Sequence, residues 1–417
     1  MRTENLLCPD RSACNSQADP LAAHNDAYEQ HLTDGGYAAG YAKCCKGGVA
    51  HLSRWMGFTH KKASEVSEAL IAEFLDIHLP RCACGSVIHD RSSLNGALGH
   101  LLVALRATGV IPPRAVDRTP IDEELQCYDQ YMVEVRNLAP STRKDALRIV
   151  RCLLHSRFGD GCIDFAAIGT EHVRCFFAQQ AKLHKKSASI GMVVASLRGY
   201  FRWRATLGDQ VHALVGVLAY PANWQLASLP KALKPDEVEQ LVASLGQSGA
   251  SMRRADAMVR CALDLGLRSA EVARLSLDDI DWYAGTITLR GTKGRREDVM
   301  PLPASTGQAI AEYLRHERPK TQHRMVFTRH IAPRERPIGS ALVCKTIRQA
   351  YARSGLPHTR SHLLRHTLAS RLLAGGSSLK EVADVLRHRS LNTTLIYAKL
   401  DSRSLNEVAL PWPGSAA

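Results

Sequence analysis

The 417-residue chain lacks any apolar run near the roughly 18 residues of a membrane-crossing helix. Its opening, Met1-Arg2-Thr3-Glu4-Asn5, lacks the apolar stretch of a secretory signal. The protein is therefore expected to stay in the cytoplasm, where its 12 cysteines remain reduced. No segment repeats at a fixed period. The cysteines also lack the regular pairing of zinc modules, in which two cysteines stand two to four residues apart and a second such pair follows. Here Cys44 and Cys45 are adjacent, and Cys82 and Cys84 are separated by one residue. His78 and His89 flank the latter pair, which leaves a metal site as the rival reading. The preferred reading is small apolar fillers and surface thiols, with no metal and no cofactor assigned.

Positive charge is present in excess. Lys and Arg total 54 against 40 Asp and Glu, a net of +14. From residue 234 onward there are 28 basic and 18 acidic residues, so 10 of the 14 excess charges lie in that part. Such a balance favours a polyanionic partner. With 45% hydrophobic residues, the chain is long enough for two or three globular domains.

Ile111-Pro112-Pro113 through Thr119-Pro120 is a proline-punctuated break that ends a first region, 1–118. Within it, Ala63–Leu75 and Ser93–Arg106 have helical apolar spacing, and residues 1 to about 27 show no period. A second unit, 119–215, reads as consecutive helices. Leu125, Tyr128, Met132 and Val135 recur at helical intervals, as do Ala146, Ile149, Val150, Leu153 and Leu154. Pro140 opens one helix, Thr170 is the expected N-cap of another, and the last covers about 188–206. That last helix interleaves Arg198, Arg202 and Arg204 with Tyr200, Phe201 and Trp203, either to track a nucleic-acid backbone or simply with aromatics buried and arginines solvated. Residues 216–233 form a linker, and Pro235-Asp236-Glu237 starts a third unit, 234–411, followed by a tail, 412–417. This unit is expected to be helical apart from Thr286–Leu289 and Val299–Leu302, joined by Gly291–Arg296. The fold class is therefore mainly α with a small antiparallel β-sheet.

Chemistry concentrates in the third unit. Ser361–Ala374 reads as a helix stopped by Gly375-Gly376. On it, His362, Arg365 and His366 share one face, while Leu364, Leu368 and Leu372 anchor another. Imidazoles beside a guanidinium suit phosphate binding and proton transfer near neutral pH. They suit a metal poorly, since the guanidinium repels a cation and Leu363 stands where a zinc-peptidase helix has glutamate. A solvated polar face is the plain alternative. Ser378 to Glu381 is a capping box, and beyond it Tyr397 follows His388 by nine residues. Arg268 and Glu271 stand in Gly266-Leu267-Arg268-Ser269-Ala270-Glu271, and Lys293, Arg295 and Arg296 sit in the β-turn.

With those residues, 234–400 resembles the catalytic domain of the tyrosine recombinases, the phage-integrase family. The motifs carrying the resemblance are Arg268 with Glu271, Lys293 in a hairpin turn, His362-x-x-Arg365-His366, and His388 followed nine residues later by Tyr397. Arg387 departs from the family's usual glycine before that histidine. Residues 119–215 resemble the family's helical, SAM-like core-binding domain in helix pattern and charge. The additional region 1–118, the Leu79–Cys84 segment and the ending Ala409–Gly414 resemble integrases linked to bacterial mobile elements.

The resemblance implies metal- and ATP-independent breakage and rejoining of double-stranded DNA. Arg268 and Arg365 would clamp the phosphate, Tyr397 would be the nucleophile and His362 the base. Lys293 would be the general acid and His388 a phosphate donor, with Glu271 and His366 supporting. Arg198, Arg202, Arg204, Arg295 and Arg296 are the expected DNA contacts. It also implies a homo-tetramer on two DNA sites near the nucleoid, with partner recombinases a further option and Leu400, Leu405, Val408 and Leu410 available to dock on a neighbour. Competing readings are a type IB topoisomerase and a non-catalytic DNA-binding regulator. A metal-dependent transposase fits less well, because Asp278, Asp279 and Asp281 crowd one turn.

Overall fold

Proline and capping residues set the helix starts seen in the computed structural model, which describes residues 19–82, 84, 88–114, 118–184, 187–222, 230–247, 249–290, 297–334, 336–388 and 394–400. Packing separates residues 114–227 from a second unit made of the flanking segments.

In the 114–227 unit, Thr119 and Asp122 cap each other around Pro120 and start α1 (Pro120–Glu134). Then come α2 (Pro140–Phe158), α3 (Thr170–Leu183), α4 (Ser187–Thr206) and α5 (His212–Gly216). The helical spacing read from the sequence does face inward: Leu125, Tyr128 and Met132 bury against Ile149, Val150, Leu153, Val193, Leu197 and Phe201. Each such side chain contributes roughly 1.5–3 kcal/mol by leaving water. Two details differ from expectation. Val135 lies past the end of α1 and is 69% exposed. Gly169, not Thr170, is the N-cap of α3, with Thr170 the first helical residue.

In the other unit, residues 19–113 form α6 (Asn25–Asp34), α7 (Ala39–Phe58), α8 (Glu68–Glu73) and α9 (Arg91–Ala107) around their own apolar core. Order begins earlier than the pattern suggests, since Leu21 and Tyr28 are buried in that core. The stretch Ala63–Leu75 is not one helix. Ser67 breaks it by capping α8 through a hydrogen bond from the Leu70 amide.

From residue 230 on, α10 (Pro235–Ala243) leads to α11 (Met252–Asp264), which is buried nearly all round, as a central helix must be. α12 (Ser269–Arg274), α13 (Ala304–His316), α14 (Ser340–Arg353) and α15 (His362–Ala374) pack against it or one another, and α16 (Leu379–Val385) packs on α15. A three-stranded antiparallel sheet runs β1 (Ile280–Asp281), β2 (Thr286–Leu289), β3 (Asp298–Pro301), in that order. β2 and β3 are the expected hairpin, paired from Thr286↔Pro301 to Leu289↔Asp298, and β1 is an addition to it. Ile287 and Leu289 turn into the core that holds α11. No described helix is long and apolar enough to cross a membrane.

Candidate active site

Arg268, Arg365, Arg387 and Glu271 meet between α11, α12, α15 and the end of α16. The turn after α11 passes through Gly266 at φ +60°, where an added Cβ would lie 2.9 Å from Leu368 Cδ2 and 3.0 Å from Leu386 Cδ2. Only glycine fits that conformation and that space. Its carbonyl then accepts a hydrogen bond from Arg365 Nη1 at 2.6 Å, and Arg365 Nη2 donates to the carbonyl of Leu386. Two of five guanidinium N–H groups are engaged, so three remain to meet an anion.

Arg268 is the N-cap of α12. Its amide donates to Glu271 Oε2 at 2.8 Å and its Nη1 to Glu271 Oε1 at 2.7 Å. Arg387 Nη2 donates to the same carboxylate at 3.1 Å, and Arg387 Nη1 also touches Met300 of β3. Arg387 sits at φ +54°, so a left-handed turn is made here by a non-glycine residue. That conformation costs roughly 1–2 kcal/mol, which the ties to Glu271, Met300 and the Val385 carbonyl offset.

Burial raises the Glu271 carboxyl, but the Arg268 amide and the guanidiniums of Arg387 and Arg268 outweigh it and hold the carboxylate below its usual range. Burial, reinforced by Arg268 and Arg387, pushes Arg365 down to about 9. Arginine nonetheless stays charged, so the cluster concentrates positive charge in a partly dehydrated place and is relieved by an arriving anion.

Tyr397 lies within a short 3₁₀ helix, Leu395–Leu400, is 1% exposed and packs on Ala369, Val382 and Leu386. Its hydroxyl lies 2.5 Å from His366 Nδ1. Burial pushes the phenol up to about 12, and Arg365 pulls the other way. His366 is held below the ordinary imidazole range by burial, His362 and Arg365. His388 Nδ1 lies 2.7 Å from Thr394 Oγ1, and burial followed by the nearby guanidiniums pushes its pKa to about 4. His362, at the start of α15, partly faces solvent. Its surroundings still remove enough water to lower its pKa, with Arg365 and Arg268 adding to the effect.

Six of the expected site residues thus converge: Arg268, Glu271, His362, Arg365, His366 and His388, with Tyr397 docked on one of them. His362 is the residue expected as the base; the histidine in contact with the phenol hydroxyl is His366. Arg387 and Thr394 belong to the site and were not singled out as members of it. Arg387 did leave a signal, as the residue in place of a glycine; Thr394 left none. Lys293, Arg295 and Arg296 lie outside the described residues, as do Leu405, Val408, Leu410 and the side chain of Leu400.

The basic and aromatic helix α4 buries its aromatics. Tyr200 donates to Glu124 Oε1 at 2.6 Å. Arg204 pairs with Glu124 at 3.2 Å and Asp209 at 2.6 Å and lies 3.5 Å from the Phe165 ring centre, so its expected exposure to a ligand is not found. Arg198 donates to the Leu218 carbonyl and lies over Tyr220. Arg202 is the one of these three that faces solvent.

Arg268 and Arg387 sharing the Glu271 carboxylate, with Arg365 buried near them and a tyrosine hydroxyl on a neighbouring histidine, form an arrangement that can grip an anion and present a hydroxyl to it. Comparison with known proteins identifies the family. The model of the phage integrase family matches residues 231–403. The putative integrase/recombinase y4rA of Sinorhizobium fredii is 35% identical over 403 residues, covering 95% of this chain and 96% of that protein. Tyrosine recombinase XerC of Stutzerimonas stutzeri is 28% identical over 293 residues, 69% of this chain and 95% of its own length. Among solved structures, the XerH site-specific recombinase bound to palindromic difH substrate covers 96% of this chain and 98% of its own, with a TM-score of 0.51 at 18% identity. A lambda integrase dimer bound to a core site covers 70% of this chain and 98% of its own, at TM-score 0.50 and 15% identity. These two are likenesses of fold. The chain belongs to the phage integrase family, the tyrosine recombinases.

Proposed function

We propose that this tyrosine recombinase is a site-specific integrase of a mobile element that cleaves and rejoins DNA through a 3′-phosphotyrosine at Tyr397. The observation that carries the reading is the contact of the Tyr397 hydroxyl with His366 beside the Arg365–Arg268–Glu271 cluster. A DNA phosphodiester is already an anion, and attack adds charge to its non-bridging oxygens. Arg268 and Arg365 donate to those oxygens and are held in place before substrate arrives, so little reorganisation is needed in the transition state.

The phenol oxygen attacks phosphorus and its proton passes to imidazole, with His366 the group already in contact. The bond from phosphorus to the 5′ oxygen breaks, and Lys293 in the β2–β3 turn protonates the departing alkoxide. The products are a phosphotyrosyl link and a free 5′-hydroxyl. Because the phosphodiester energy is kept in the link, a hydroxyl from another strand reverses the step without ATP. No metal takes part.

Residues 119–215 serve as the core-binding domain and 234–411 as the catalytic domain, joined by 216–233 and gripping the duplex together. Arg202 is the member of α4 whose exposure supports phosphate contact, with Arg295 and Arg296 of the hairpin turn added from the family pattern. The relatives' DNA-bound forms support double-stranded DNA as partner, and four protomers on two sites is the assembly that the family resemblance implies.

Nicked suicide substrates carrying candidate element ends test the reading. A covalent protein–DNA adduct is expected, with the modified peptide containing Tyr397. An adduct mapped to another residue, or none with any element end, overturns it. On a plasmid with a single site, relaxation without strand exchange would point instead to a topoisomerase.

A further inference from the structure

We propose that His51, His78, Cys82 and Cys84 form a structural zinc site in the N-terminal helical region, remote in sequence from the recombination chemistry. One ligand atom from each lies within 4.8 Å of all the others. His51 Nε2 is 3.3 Å from Cys82 Sγ, and His78 Nε2 is 4.0 Å from Cys84 Sγ. A tetrahedral zinc with Zn–S of about 2.3 Å and Zn–N of about 2.0–2.1 Å has edges of roughly 3.3–3.8 Å between ligand atoms. The four donors therefore need only a slight contraction to close on an ion.

The surroundings orient the donors as a metal requires. His51 Nδ1 lies 3.2 Å from the carbonyl oxygen of Ile88. A carbonyl only accepts, so Nδ1 carries the proton and Nε2 turns its lone pair toward Cys82. That carbonyl–histidine arrangement is the usual outer support of a metal-bound imidazole. The amide of Cys84 donates to Cys82 Sγ at 3.3 Å, a contact that favours thiolate. Both histidines are essentially sealed from solvent, at 0% and 1% exposure, and their rings stand among Trp55 and Phe74. Two imidazoles and two sulfurs converging in such a place match the donor set of structural zinc, and four protein ligands leave no position for substrate.

The spacing disguises the site. Its two cysteines are one residue apart, and its histidines come from α7 and from the turn ending at His78, 27 positions apart along the chain (78 − 51). His89, the flanking histidine that sequence proximity suggests, is not one of the four. Zinc there would pin α7 to the 74–84 segment, joining elements that also meet through their apolar core.

The test is the metal content of the full-length protein, purified without chelator and measured by mass spectrometry. About one zinc per chain is expected. The ratio should fall at least about tenfold in His51→Ala and in Cys82→Ser/Cys84→Ser, and stay unchanged in His89→Ala and Cys127→Ser. Should those ligand variants fail to fold, cobalt(II) reconstitution of the wild-type chain decides, through the visible bands of a tetrahedral site and a thiolate-to-cobalt charge-transfer band. Zinc-free wild-type protein whose cobalt spectrum stays that of the hydrated ion overturns the proposal. So does zinc retained in full by the folded double cysteine variant. Neither readout depends on recombination, so failure of the DNA reading would leave this site untouched.

Discussion

The Tyr397 hydroxyl and His366 Nδ1 are 2.5 Å apart, placing the aromatic side chain against the second histidine of the His-x-x-Arg-His helix instead of the first. Burial that pushes the phenol up to about 12 makes spontaneous phenolate scarce at neutral pH, so proton removal during the proposed attack needs a partner, and among the described residues His366 is in contact with the hydroxyl.

His366→Ala is expected to slow single-turnover cleavage by about a hundredfold or more. In the wild type, the rate should fall as pH drops through the His366 pKa, which burial, His362 and Arg365 place below the ordinary imidazole range. Protonated imidazole accepts nothing, which sets the sign. The variant should lack that step while His362→Ala retains it. Identical pH profiles for wild type and His366→Ala would remove His366 from the proton path.

Arg365→Lys keeps the charge but replaces a planar fork by a point donor. It cannot reach the carbonyls of Gly266 and Leu386 and still offer paired N–H groups to phosphate. Cleavage should fall by about a hundred- to a thousandfold, with DNA affinity changed far less, as gel shift and single-turnover rates will show. Near-normal cleavage would make the residue a structural one.

Arg387→Gly and Arg387→Ala separate backbone strain from side-chain pairing. Both remove the bond to Glu271, while only glycine relieves φ +54°. Each should be less stable than the wild type, with the glycine variant more stable than the alanine variant by about 1 kcal/mol in denaturant titration. An alanine variant as stable as the glycine one would mean that the turn is not strained.

Stability should decline as pH falls from about 6.5 toward 4. Burial, followed by nearby arginines, holds His330 and His388 at about 4 in the folded state, whereas an unfolded imidazole binds its proton below about 6.5. The unfolded chain then binds more protons than the folded one, so folding stability is full above that window and lost within it. Melting temperatures between pH 7 and 4.5 measure it, and His388→Asn should show a shallower decline. A flat profile for the wild type would contradict neutral burial of these rings.

Local signals were the readable ones. The capping box at Ser378 and Glu381, the helix of His362 to Ala374 and the β2–β3 pairing each rest on residues close in sequence, and each was found. α7 left no such signal. Gly40, Gly47, Gly48 and Gly57 lower its helical propensity, yet a Cβ on Gly48 would lie 3.2 Å from both Ala97 and Leu94 of α9. The glycine that weakens the helix locally is what lets it pack closely. Arg204 misleads in the opposite sense, since basic neighbours along a helix look like a ligand surface until Glu124 of α1, and Asp209 just past the helix end, pair with it.

The order of residues by itself determined which chemical groups this protein carries and which of them share a helix face, because a 3.6-residue turn is a local property. It therefore determined the family and which tyrosine, arginines and histidines are candidates for its site. Only the tertiary structure decided which histidine receives the phenol, which guanidiniums share Glu271, and that His51 rather than His89 joins Cys82 and Cys84. Those choices depend on distances between segments far apart in sequence, set by core packing and by backbone turns such as Gly266 and Arg387.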